Sequence, residues 1–424
     1  MGRATARRLA ALAVSAGVLL AGCSTTRGGA EGPTPEQGGT ITIASWLWLE
    51  KGRGEQLQQA LDGYSARHPG VQIEPQAVTR AEFEKTMSTQ IGGGRGPDLL
   101  VLPDTFFPEL AEAGALEPLD GVLDRATEDT LLAANDGFRH EGRRLALLWE
   151  QSPYGLFWNT ELLARAGVAP PRTAEELLAA AEAVHERTGA IGFAGRHQMN
   201  EESIWWSDFS NWPYGFGGEW SDGERLTIDT PANIAAVTAF KRMYDSPAFS
   251  RGDDASTYRS KFAAGEVGIM IDCAPCMRTI LRGNDRLSSA DIGGSTLPLP
   301  TDRSVYVGVG IGINPHSQHK ALARDFLRWL YSTEGQGALQ EVNFPSTVGT
   351  DLPPPRRLLE ENPWVVPVRD ALPDARQSLV AGFGSGTPQI RRIVLSHVER
   401  VLTRDVDPAA ALGAAQREAE EALG

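Results

Sequence analysis

The sequence predicts an α/β protein of two lobes, and three features carry that expectation. Segments with strand character alternate with segments whose apolar residues recur at helical spacing, an order that builds a parallel sheet covered by helices. Roughly 385 residues follow the N-terminal leader and tether, more than a single hydrophobic core usually organises. A second series of strand and helix signals begins near Pro153, after the first has ended.

Thr40 to Ile43, alternating β-branched residues after a Gly-Gly break, reads as the first strand. In the helix that follows, Leu57, Ala60, Leu61 and Tyr64 recur at i, i+3, i+4 and i+7, and His68-Pro69-Gly70 stops it. VQIEPQAV is a second strand, and Ala81 to Ile91 a helix with Phe83 and Met87 one turn apart. Asp98 to Pro103 is a continuous apolar strand of the kind buried on both faces. In the second series YGLFWN is strand-like, TAEELLAAAEAVHERTG and TPANIAAVTAFKRMY are helical, and KFAAGEVGIMID is a helix end followed by a strand. SVYVGVGIGINP is another strand, and ALARDFLRWLYS a helix with Ala321, Phe326, Leu327, Leu330 and Tyr331 largely on one stripe. In open parallel sheets the ligand crevice lies beyond the strand carboxyl ends, where Trp46, Trp48 and Asp104 fall.

Arg3, Arg7 and Arg8 precede the apolar run Leu9 to Leu20, the order of a secretory signal and too short for a permanent span. The run ends in Leu20-Ala21-Gly22-Cys23, which resembles the lipobox of bacterial lipoproteins. That resemblance makes residues 1–22 a signal peptide, Cys23 the lipid-bearing first mature residue, and 23–39 a flexible tether rich in Gly, Pro and Thr. The formal charge is −14, and loss of the three leader arginines takes the mature chain to −17, which argues against a nucleic-acid partner. Beyond Cys23 the cysteines are Cys273 and Cys276, in DCAPC. A redox C-x-x-C belongs at a helix N-terminus in a compact fold with an exposed thiolate. Here it follows the apolar strand VGIMID in a much longer chain, so a structural bridge or two buried thiols is expected.

SIWWSDFSNWPYGFGGEW, residues 203–220, gathers four tryptophans, two phenylalanines and a tyrosine. Sugars present C–H patches that an indole covers and hydroxyls that carboxylates and amides bind in pairs. Glu201, Glu202, Trp205, Trp206, Asp208, Asn211, Trp212 and Tyr214 have that mixture. Adjacent Trp205 and Trp206 point different ways, so at least one is expected in the core, as are Phe209, Phe216 and Trp220.

Six segments in register are similar to the extracellular solute-binding proteins of ATP-driven importers, specifically the carbohydrate-binding family that includes maltose-binding protein. They include ALDGYSARHPGVQI, GPDLLVLPDTFFPELAEAGALEPLD, GRRLALLWEQSPYGLFWNTELLARAGV and FAAGEVGIMID. The resemblance implies a two-lobe periplasmic-binding-protein-like fold (type II) with a hinge and an inter-lobe cleft. Lobe one would be 38–150 plus 306–340 and lobe two 151–305 plus 341–424, with Gly155 and Gly308 among the hinge crossings. It places ligand contacts at Trp46, Trp48, Asp104, Glu150, Tyr154, Glu202, Trp205, Trp206, Asn211, Trp212, Asp272 and Gly308; Asp104 has capping of the next helix as its alternative. The chain departs from relatives at Ala274-Pro275-Cys276, where they carry a cleft tryptophan, and at Ile393 and Val394, where they carry a late one.

The implied function is a lipid-anchored, monomeric binding subunit on the extracytoplasmic membrane face. It would capture a mono-, di- or oligosaccharide and deliver it to a permease, with no cofactor, no metal and no catalysis. A polyol phosphate ligand would require arginines aimed into the cleft, with Arg196, His197 and Arg278 the first to inspect. A glycoside-active enzyme would require two opposed carboxylates, and a thiol oxidoreductase would use Cys273 and Cys276. Gly92 to Gly96 lacks the Lys-Ser/Thr of a phosphate loop, and His316 and His319 lack a third zinc ligand.

Overall fold

A computed structural model describes residues 32–50, 52–282 and 285–424. The signal peptide, Cys23 and most of the tether lie outside the described residues. Strand β1 (Gly39–Ser45) pairs in parallel with β2 (Val71–Ala77) and with β3 (Leu99–Pro103). Helices α1 (Arg53–Arg67) and α2 (Arg80–Gly92) connect them. Residue alternation along the strands sends side chains to opposite faces. Ile41, Ile43, Leu99 and Val101 pack with Leu57, Leu61 and Tyr64 of α1, while Ala44, Leu100 and Leu102 pack with Phe83 and Met87 of α2.

The chain then crosses on one long strand, β4 (Leu147–Asn159). In the second lobe α3 (Ala174–Thr188) precedes β5 (Ile191–Ala194), and α4 (Glu202–Gly215), α5 (Pro231–Asp245) and α6 (Ala255–Ala263) follow. Next come β6 (Val267–Cys273), α7 (Ala274–Arg282) and β7 (Ile292–Ser295). Strand β8 (Val305–Ile313) returns to the first lobe, followed by α8 (Lys320–Leu330) and α9 (Thr333–Asn343). The chain ends in α10 (Thr387–Arg404) and α11 (Pro408–Leu423).

The sheet is mixed where alternation alone predicts parallel: β5 and β6 are parallel, but β8 runs antiparallel to β3 and β4, and β4 antiparallel to β6. Leu147 to Pro153 of β4 pair with β8, and Tyr154 to Trp158 pair with β6, so one strand is shared by both lobes. Val342 and Val348 pack with α1 and α8, which keeps the chain with the first lobe past residue 340, where the sequence had placed the return to the second. The reason is local: α9 lies on α1, and the Gln151 and Thr347 backbones bond each other in both directions, at 3.0 and 2.9 Å.

Gly155 and Gly308 permit close packing at the crossings. A Cβ on Gly308 would lie 2.7 Å from Asp104 Oδ2, and one on Gly155 would lie 2.7 Å from Val368 Cγ2. Neither has a positive φ.

Candidate ligand-binding site

The strand carboxyl ends of the two lobes meet at the crossings. Pro103, the last residue of β3, lies opposite Val309, and Cys273, the last of β6, lies opposite Tyr154. Tyr306 of β8 faces Pro153 of β4 between them. Polar groups following β1, β3, β5 and β6 are thereby gathered around one line, the position a ligand crevice takes in α/β sheets.

On the first-lobe side Trp46 is half-buried, edge-on to Phe83 at 5.2 Å, with the Arg80 guanidinium 5.1 Å from its ring centre. Trp48 is also half-buried and donates from Nε1 to the Ile43 carbonyl at 2.9 Å, while neighbouring Leu49 is 56% exposed. Arg53 donates to Glu50 at 3.1 Å, to Glu150 at 2.6 Å and to Asn343 Oδ1 at 3.0 Å. Buried Glu150 thus holds a guanidinium from α1 at the crossing, and burial raises its carboxyl above the usual range against the pull of Arg53. Asp104 accepts from the Gly308 N–H at 3.1 Å, and its own N–H donates to the Gly308 carbonyl at 2.9 Å. Its side chain does not cap the helix Phe107–Glu112, so it ties β3 to β8 instead.

On the second-lobe side the Tyr154 hydroxyl donates to Asp208, and Arg196 pairs with the other Asp208 oxygen and with Glu201 at 3.4 Å. Burial raises the Asp208 carboxyl against the pull of Arg196, and nearby Asp272 raises it further. Asp272, fully buried, receives Arg259 at two points, 2.7 and 2.6 Å. Two buried groups here, Tyr258 Oη and Trp205 Nε1, have no hydrogen-bond partner. Asp272, Cys273 and Cys276 bring one oxygen and two sulfurs within 4.8 Å of one another. The sulfurs are joined as a disulfide and the carboxylate is occupied by Arg259, so this grouping is not a metal centre in the present form.

Residues 48–337 match the family described as bacterial extracellular solute-binding protein. The chain belongs to that family. It is a family of solute-binding proteins, not enzymes. The maltotriose-binding protein of Pyrococcus abyssi is 25% identical over 243 residues, 55% of this chain and 49% of its own. This chain spans about half the length of the curated relatives it matches. Among solved structures, the GacH receptor of Streptomyces glaucescens, studied with acarbose, superposes with a TM-score of 0.77 at 24% identity, covering 90% of this chain and 98% of its own. UgpB of Mycobacterium tuberculosis, in complex with glycerophosphocholine, gives 0.77 at 20%, covering 91% and 98%. These likenesses establish the two-lobe type II fold of periplasmic binding proteins. No helix among the described residues is long and apolar enough to cross a membrane.

The aromatic stretch is second-lobe core, which corrects the expectation for Trp205, Trp206, Asn211 and Trp212. It forms α4, which packs against α5, α10 and β8, so both sides of the helix are covered. Trp206 stacks on Trp220 at 4.8 Å and donates to the Ser378 carbonyl at 2.5 Å. Trp212 meets Phe240 edge-on at 5.3 Å, and Trp205 lies 6.2 Å from Phe209. Trp205 and Trp206 have no exposed surface, so no ring face remains for a ligand. Asn211, equally enclosed, accepts from the Val305 N–H at 2.8 Å and fastens α4 to the start of β8. Glu202 is occupied by Arg391 at 2.8 Å and Arg392 at 3.5 Å.

The C-x-x-C forms the bridge that was one of its two expected states, and it also opens a helix, which the sequence did not announce: Cys273 ends β6 and Cys276 lies in the first turn of α7. Sequence reading missed Arg53, Tyr258 and Arg259 as members of the crossing region. Arg53 meets Glu150 across 97 positions, and no short-range spacing announces such a contact.

Proposed function

We propose that this chain is the solute-capturing subunit of an ATP-driven importer, closing two lobes on a neutral carbohydrate and presenting the closed form to a permease from a lipid anchor at Cys23. The observation carrying the carbohydrate reading is charge pairing around the Glu150, Asp208 and Asp272 carboxylates. Arg196 is matched by Asp208 and Glu201, Arg259 by Asp272, Arg53 by Glu150 and Glu50, and Arg80 by Glu84. An anionic headgroup needs cationic donors left uncompensated for it. The residues singled out for a polyol phosphate are otherwise engaged as well. His197 accepts from the Gly252 N–H at 3.0 Å, and Arg278 is bonded to backbone carbonyls at the end of α9.

Carboxylates, amides and a tyrosine hydroxyl beside two half-buried indoles suit a ligand with hydroxyl edges and C–H faces. Neighbours named for acarbose and maltotriose support the same reading. A polyol phosphodiester is the second reading, favoured by the likeness to the glycerophosphocholine complex. Capture works as a population shift: a ligand touching both lobes stabilises the closed form by its extra contacts there.

A thermal-shift screen against mono-, di- and oligosaccharides, with glycerol phosphodiesters alongside, tests this. A ligand at 100 times its dissociation constant adds roughly 2.7 kcal/mol to stability. A shift with a sugar recovered unchanged supports the reading; a shift with phosphodiesters alone replaces the carbohydrate, and recovery of cleaved sugar refutes a pure binding role.

A further inference from the structure

The Cys-Ala-Pro-Cys stretch joins a strand that ends at the crossings to a helix that reaches the other lobe. Cys273 pairs with Tyr154, the residue after Pro153 on the shared strand. Cys276 stands one turn on, the two Cα atoms are 5.5 Å apart, and both residues are only partly buried. Farther along α7, Arg278 donates to the carbonyls of Glu341 at 3.3 Å, Val342 at 3.2 Å and Phe344. Arg282 donates to Gln56 Oε1 of α1 at 3.1 Å. Leu339 and Val342 of α9 pack in the first-lobe core with α1, whereas Met277 and Ile280 of α7 pack in the second. The disulfide therefore fixes the base of an arm that bridges the lobes.

Arg259 supplies the chemistry. A terminal nitrogen lies 3.0 Å from Cys276 Sγ, and Asp272 holds the guanidinium in place from the other side. A cation at that distance stabilises a thiolate on Cys276, opposed in part by the Asp272 carboxylate within 4.8 Å of both sulfurs, and a stabilised thiolate leaves faster in exchange.

We propose that Cys273–Cys276 is a thiol–disulfide exchange site for dithiols, and that its reduction loosens the α7 arm and weakens lobe closure. One thiolate of the dithiol attacks Cys273 Sγ; the Sγ–Sγ bond breaks, and its electron pair leaves on Cys276 beside Arg259. The dithiol's second thiolate then attacks the reagent's own sulfur in the mixed disulfide and releases Cys273 as a thiolate. The dithiol becomes a disulfide, losing two electrons and two protons, and the cysteine pair gains both. The effect on closure rests on the solute-binding reading; the exchange does not.

The test treats the full chain with dithiothreitol without denaturant, then alkylates it and reads the peptide carrying both cysteines by mass spectrometry. The expected result is no alkylation before reduction and double alkylation after it. Arg259→Gln should slow exchange by about tenfold and move Cys276 alkylation to higher pH, with Arg259→Lys restoring much of both. Amide hydrogen exchange around Gln56 and Glu341 to Phe344 should rise on reduction, with or without sugar. Resistance to the dithiol until denaturant is added, or alkylation before any reductant, overturns the exchange site. Full reduction with unchanged hydrogen exchange at those segments overturns its coupling to the lobes. Failure to bind sugar in either redox form would count against the carbohydrate reading alone, since neither readout here requires a ligand.

Discussion

Asp104 is buried where β3 meets β8, and that burial pushes its carboxyl up to about 7, against the Gly308 and Thr105 amides and the Arg80 charge that pull it down. A carboxyl whose folded-state value lies above its unfolded one holds its proton more tightly in the folded chain. Its stabilising contribution is complete below the unfolded value, about 4, and is lost as pH rises through about 7. Asp104→Asn keeps an acceptor for the Gly308 N–H and removes the titration. Urea unfolding at about pH 5 and about pH 8 should show the wild-type chain losing on the order of 2 kcal/mol more than the variant. Equal losses would mean that the carboxyl titrates in its ordinary range. Asp104 was legible as a residue after a strand end, but its task was not. The Gly308 amide that it holds lies 204 positions away.

Elements were more readable than sites because periodicity is local and contact is not. The stripe of Leu57, Leu61 and Tyr64 is buried as its spacing requires, and all five residues of β3 are buried as its unbroken apolar run requires. Helix α4 misled for a physical reason. A helix covered on several sides carries aromatics all round, and a stretch that mixes several Trp with an Asn and an Asp also describes a sugar cleft. Trp206→Ala should therefore lower unfolding free energy by about 3–5 kcal/mol, from the lost burial and cavity. Ligand affinity, measured on the folded fraction, should stay near wild type. Reduced affinity at unchanged stability would return this indole to the ligand site.

Among the described residues one nine-stranded mixed sheet runs through both lobes, with β4 shared between them, the return strand β8 beside it and the 343–347 segment bonded to β4. Polar contacts that bridge the lobes include Arg282 to Gln56 and Arg278 to the end of α9. Relative motion of two such bodies is governed by the crossings and by whatever lies between them. A ligand bound equally by open and closed forms would shift nothing. Small-angle X-ray scattering, recorded on the chain alone and with a saturating sugar from the screen, reads closure directly. A smaller radius of gyration is expected with sugar bound. An unchanged radius at calorimetrically confirmed saturation would contradict capture by lobe closure.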